Sequence, residues 1–185
     1  MPIRSLAIFF SLWLFSACGY SFAGVEKAPR GVTRVFVNQA MDAALDVGPA
    51  AALTRALRER IDVSTALKNV ALVDAEAVLE ARIESTVDLG APVASEGPPT
   101  TQKYVLGMVG SLRMIDRSGA VVWQSGGVRV DEDYASGLPA CTPGPCAASV
   151  IENNVPMTEA NRRRALEHAA EELAKELYAR LVESF

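Results

Sequence analysis

The stretch AVLEARIESTV, Ala77 to Val87, reads two ways, and the fold turns on the choice. Its composition favours helix, and Leu79, Ile83 and Val87 fall on an i, i+4, i+8 line. Against that, Leu79, Ala81, Ile83 and Val87 alternate with Glu80, Arg82, Glu84 and Thr86, the two-residue period of a strand with one buried face. The alternation is the more complete pattern, so the stretch is expected to be a strand.

Downstream, GAPVASEGPP (Gly90 to Pro99) is a Pro/Gly-rich loop without periodicity. YVLGMVGSLRMID (Tyr104 to Asp116) follows, with Tyr104, Leu106, Met108, Leu112 and Met114 on one face and Val105, Val109 and Ile115 on the other. Apolar residues on both faces predict a central strand covered on both sides. DRSG (Asp116 to Gly119) is a tight hairpin turn, with Gly119 free to take the left-handed conformation. AVVWQSGGVRVDEDY returns as its partner, and Gly126-Gly127 marks a bulge or bend. Residues 131–156 are expected to form a long loop. The chain closes with a helix from about Thr158 or Asn161, striped by Leu166, Ala170, Leu173, Leu177 and Leu181. Arg162, Arg163 and Arg164 fall in its expected first turn, where the macrodipole disfavours cations. They are either a solvated face or a contact to an acidic partner or phosphate.

Upstream, NVALVDA (Asn69 to Ala75) is expected as a short strand and turn. Before it, Gly48-Pro49 opens a helix that buries Ala50, Leu53, Leu57 and Ile61 and leaves Arg55, Arg58, Glu59 and Arg60 outside. Pro49 costs no hydrogen bond there, because first-turn N–H groups are unpaired anyway. TRVFVNQ (Thr33 to Gln39) is a first strand. The order predicts an α+β fold, a two-layer sandwich of two helices on a mixed four- to five-stranded sheet, in one domain over residues 32–185.

Residues 1–17 read as a cleaved export signal. Arg4 is the single positive charge, and the thirteen uncharged residues from Ser5 to Ala17 are too few to span a bilayer core, which takes about 20. Leu14-Phe15-Ser16-Ala17-Cys18 resembles a lipobox, which implies acylation of Cys18 and cleavage before it. Gly19 at the next position fits sorting to the outer membrane, with the domain on the periplasmic side. Residues 18–31 then form the acylated cysteine and a short tether. Removing residues 1–17 leaves 168 residues with a formal net charge of −5, without the basic face that nucleic-acid binding needs. In CTPGPC, Cys141 and Cys146 read as a disulfide closing a tight turn in an oxidising compartment; a redox pair, metal ligands and free thiols are the other readings.

CGYSFAG after the lipobox, GVTRVFVNQ as opening strand, AEAVLEARI, the Y…LRMIDRSGAVVW hairpin and the leucine-striped last helix together resemble the LPS-assembly lipoprotein family, LptE. Glu76 replaces the usual aspartate, Ala81 the usual glycine, and PACTPGPCAASVIENNVP looks inserted. The resemblance implies a non-enzymatic lipoprotein that plugs the lumen of a large outer-membrane β-barrel (LptD-like) and helps lipopolysaccharide reach the outer leaflet. It also implies contact with lipopolysaccharide, whose lipid A phosphates would meet Lys103, Arg113, Arg117 and Arg129, cations near strand ends or loops.

Enzyme signatures are missing: the sequence has no G-x-S-x-G, no Walker loop and no H-E-x-x-H. Its single histidine, His168, reads as a partly covered helix residue, and Glu171 and Glu172 as a solvated flank. No cofactor or metal site is expected. The alternative is a periplasmic interaction lipoprotein like the TolB amino-terminal domain or the penicillin-binding-protein activators, which calls for a longer tether than the thirteen residues Gly19 to Gly31. Fully extended, those reach roughly 45 Å.

Overall fold

The computed structural model describes residues 31–44, 46, 48–89, 103–135 and 155–183. The readings placed on the signal segment, Cys18 and its tether, the loop at 90–99 and the pair Cys141 and Cys146 lie outside these residues.

Along the chain run β1 (Arg34–Val37), β2 (Met41–Asp42), α1 (Pro49–Asp62), β3 (Lys68–Asn69), β4 (Ala77–Leu89), β5 (Lys103–Asp116), β6 (Val121–Gln124), β7 (Val128–Ala135) and α2 (Val155–Glu183). The strands make one seven-stranded mixed sheet in the order β3-β1-β4-β5-β6. β2 continues the line of β1 along β4, and β7 pairs with β5 along the stretch that β6 leaves open. Counted across, the sheet is therefore five ribbons wide, parallel from β3 to β4 and antiparallel beyond. Both helices pack on one face, against each other and against the sheet.

The deciding stretch is a strand, β4. As a strand it sends Ala77, Leu79, Ala81 and Ile83 into the core and pairs along its length with β5. A helical line would bury only part of that set. Val87 departs from expectation: it is 49 % exposed. The register slips between Ile83 and Ser85, and such a bulge exchanges the faces of every residue beyond it. Past the slip Thr86 and Asp88 stand opposite Met108 and Leu106, the core-facing residues of β5, while Val87 and Leu89 turn away.

The core joins Leu53, Leu57 and Ile61 of α1 with Leu166, Ala170, Leu173, Leu177 and Leu181 of α2, over Leu79, Ile83, Leu106, Met108, Leu112 and Met114 of the sheet. Thr54 is buried within it and satisfied: its hydroxyl donates to Ala50 O (2.7 Å) and accepts from Ala40 N (2.9 Å). Gly110 lets α2 approach. A Cβ there would lie 2.6 Å from Leu173 Cδ2 and 2.8 Å from Arg82 O.

Several expectations change. Only Lys68–Asn69 pairs as a strand near NVALVDA; the rest turns, with Asp74 N and Ala75 N both donating to Ala71 O. The return partner of β5 is two strands, broken where Ser125 N donates to Leu112 O and Leu112 N donates to Ser125 Oγ. The loop expected at 131–156 gives way at both ends to regular structure, because β7 runs to Ala135 and α2 starts at Val155. Pro156 in the first turn of α2 leaves the helix intact, for the reason that holds at Pro49. β5 is central, yet the described helices cover one face only, and Val105, Val109 and Ile115 are half-buried on the other.

Candidate functional site

Strand alternation dictates what the uncovered face carries: Glu80 and Arg82 from β4, Ser111 and Arg113 from β5, Gln124 from β6, and Arg129, Asp131 and Asp133 from β7. Register sets Glu80 opposite Arg113, and Arg113 opposite Gln124 on its other side. Arg113 donates to Glu80 Oε2 from Nη2 (2.6 Å) and Nε (2.8 Å). With Met41, Arg82, Glu84 and Ser111 these side chains line an open groove of about 390 Å³. Arg113 is half exposed, and an ion pair so placed contributes only about 0.2–1 kcal/mol. Its guanidinium can therefore exchange the carboxylate for a phosphate, which accepts the same two-pronged hydrogen bonding.

Of the four cations picked from sequence, the structure sets Arg113 and Arg129 on this face. Arg129 donates to Asp131 Oδ1 (2.9 Å), and the pair folds over Gly107, where a Cβ would lie 3.0 Å from each. Arg117 sits instead in the β5–β6 turn and donates to Ala75 O (2.7 Å) and Val73 O (3.4 Å). Lys103 is the first residue of β5, roughly 45 Å along the strand from Arg117. The four do not converge on one headgroup. Arg82, which sequence reasoning passed over, lies in the groove; its place on the polar set of β4 was the available signal.

The arginine run on the last helix is resolved into two roles. Because α2 begins at Val155, Arg162 stands about two turns inside it rather than in the first turn. It is three-quarters buried, donating from Nε to Asp88 Oδ2 (2.9 Å) and from Nη2 to Asp46 Oδ1 (3.3 Å). The hydrogen bond that it donates to Asp88 is the main reason its pKa is raised further. Thr86 donates to Asp46, and Tyr134 donates to Asp88 Oδ1 (3.3 Å). Burial, then Asp88, pushes the Tyr134 phenol up. Its ring stacks on Tyr104 at 5.1 Å, a cross-strand pair in register. Arg163 and Arg164 are exposed.

His168 is exposed, with Nδ1 3.1 Å from Glu132 of β7. Glu171 is not merely solvated: it accepts from Arg55 of α1 at 2.7 Å, linking the helices, while Glu172 accepts from Lys175. Among the described residues no cluster of three or more His, Cys, Asp or Glu is arranged to hold a metal, and no helix is long and apolar enough to cross a membrane.

No curated protein matches the chain. Among solved structures it is similar to the PelC dodecamer of Paraburkholderia phytofirmans (14% identity, TM-score 0.45, covering 86% of this chain and 92% of that one). It is also similar to a minor lipoprotein of Acinetobacter baumannii (13%, 0.43, covering 80% and 92%) and to lipoprotein B of Nitrosomonas europaea (15%, 0.42, covering 84% and 88%). The sequence model of LptE, described as Lipopolysaccharide-assembly, matches residues 32–181, from the start of the first strand almost to the end of the last helix. The chain belongs to the LptE family of lipopolysaccharide-assembly proteins.

Proposed function

We propose that this chain is a non-catalytic outer-membrane lipoprotein, held at Cys18 on the periplasmic side, whose domain fills the lumen of an LptD-like β-barrel and assists delivery of lipopolysaccharide. The observation that carries this reading is the uncovered sheet face. It carries a polar groove of Glu80, Arg82, Glu84, Ser111, Arg113 and Gln124 beside half-buried Val105, Val109 and Ile115, and is backed by an apolar layer of two helices. A barrel lumen is polar, and a plug meets it by hydrogen bonds rather than by apolar contact. Arg82 and Arg113, with Arg129 on the same face, are the cations placed to meet lipid A phosphates. Arg117 is engaged with a turn, and Lys103 stands at the far end of β5.

Affinity capture of the tagged, acylated chain from detergent-solubilised outer membrane tests the plug. Recovery of a large β-barrel supports it, whereas recovery of a peptidoglycan synthase without a barrel favours the activator-like alternative. The anchor has its own test. Cys18→Ser should move the protein from the membrane to the periplasmic fraction, and retention in the membrane would contradict acylation at Cys18.

A further inference from the structure

The three most exposed large apolar side chains among the described residues are Val73 (81%), Val63 (79%) and Leu72 (59%), and all belong to one end of the molecule. Register defines that end. Arg34 pairs with Lys68 and Val35 with Ala77, so β1, β3 and β4 all start there. Ala77 in turn pairs with Asp116, which brings the β5–β6 turn alongside. Arg117 in that turn fastens the carbonyls of Val73 and Ala75, so Leu72 and Val73 are held outward on a braced turn. Val63 caps the C-terminus of α1, five residues before β3 opens.

The chain enters the domain at this same end. Glu76 accepts from Thr33 N and Arg34 N, fastening the first residues of β1 here, and Cys18 lies thirteen residues before Gly31. The end carries no net positive charge, Arg34, Lys68 and Arg117 standing against Asp62, Asp74, Glu76 and Asp116, so an electrostatic attraction to anionic lipid is not what it offers. Exposed aliphatic groups gathered around the exit of a short lipidated tether fit the outer part of an acyl layer.

We propose that the Val63, Leu72 and Val73 end of the domain, left outside the periplasmic mouth of the barrel, is a membrane-contact tip, inserted shallowly into the phospholipid leaflet that holds the Cys18 acyl chains. The inference rests on the lipoprotein reading of Cys18. It goes further, because it fixes which end of the domain touches lipid and makes the domain itself a second attachment.

Tryptophan quenching by lipid brominated near the headgroup reads this contact. Trp123 is the sole tryptophan after residue 17, so Val73→Trp in a Trp123→Phe background gives a single reporter, with Val87→Trp in the same background as control. The acylated full chain is reconstituted on phosphatidylcholine vesicles. The tryptophan placed at position 73 should lose roughly half its emission, as expected for side chains about 5–10 Å into the interface, while the one at position 87 keeps its emission. Quenching that neither falls in high salt nor rises with anionic lipid follows from the lack of a net positive charge at this end. Vesicle-bound protein with no quenching at position 73 overturns the tip alone. Protein that fails to float with vesicles overturns the lipoprotein reading and the tip with it. An emission shift at position 73 that follows protein concentration without vesicles assigns the surface to a second copy, and also overturns the tip.

Discussion

Glu76 accepts hydrogen bonds from Thr33 N (2.9 Å), Arg34 N (3.1 Å) and Arg34 Nε (3.0 Å), and its own N–H donates to Arg34 O. This carboxylate ties the opening of β1 to the start of β4. Those donors, the Thr33 N–H first, hold its pKa down at about 2 against an ordinary value of 4.5. The unfolded carboxylate therefore takes up a proton at higher pH than the folded one. Its contribution to stability is complete above about pH 4.5 and lost as pH falls towards 2. Glu76→Gln should lower stability at pH 7, and its deficit against the parent should shrink steadily from pH 4.5 to 2. Urea midpoints across that range would show this, and a constant deficit would mean that the titrating carboxylate is not the source.

Among the elements, the end of β4, Asp46 and α2 are coupled through Arg162. The bulge after Ile83 makes this possible by turning Thr86 and Asp88 towards the helix layer. One misplaced residue in a strand thus converts two outward positions into anchors for a helix about two turns from its start. Removing the guanidinium leaves Asp46 and Asp88 partly buried without it. Arg162→Met should cost about 2–3 kcal/mol, in the range for hydrogen bonds to charged groups, and lower Tm by roughly 5–10 °C. Arg163→Met, at an exposed position, should stay within about 0.5 kcal/mol of the parent. Thermal melts followed by circular dichroism compare the two, and equal losses would remove the special role given to Arg162.

For the whole molecule, one apolar cluster takes members from both helices and from β1, β4, β5 and β7. Among the described residues neither layer has a second core to fall back on. Unfolding should therefore be a single transition, with far-ultraviolet circular dichroism and Trp123 emission giving the same midpoint in urea. Separate midpoints would mean that the β6–β7 side unfolds independently of the helices.

The sequence by itself determined the fold class and most of the elements. Strand alternation and helical stripes are local periodicities, and Leu79, Ala81 and Ile83, or Leu166 through Leu181, carry them without reference to neighbours. The same alternation already separated Glu80, Arg82 and Glu84 from the core, and Arg113 stood out as a cation, so four of the eight residues lining the groove were legible. What tertiary structure alone decided is everything that depends on register between distant strands. The slip after Ile83 exposes Val87, and a two-residue β2 finds its partner only at Arg82 and Ile83. Arg113 and Arg129 share a face, whereas Arg117 is spent on a turn and Lys103 stands at the opposite end of β5. Cations in a sequence carry no mark of their partners. Whether an arginine meets a carboxylate, a backbone carbonyl or solvent is set by chain segments tens of residues away, and only the packed sheet brings those to it.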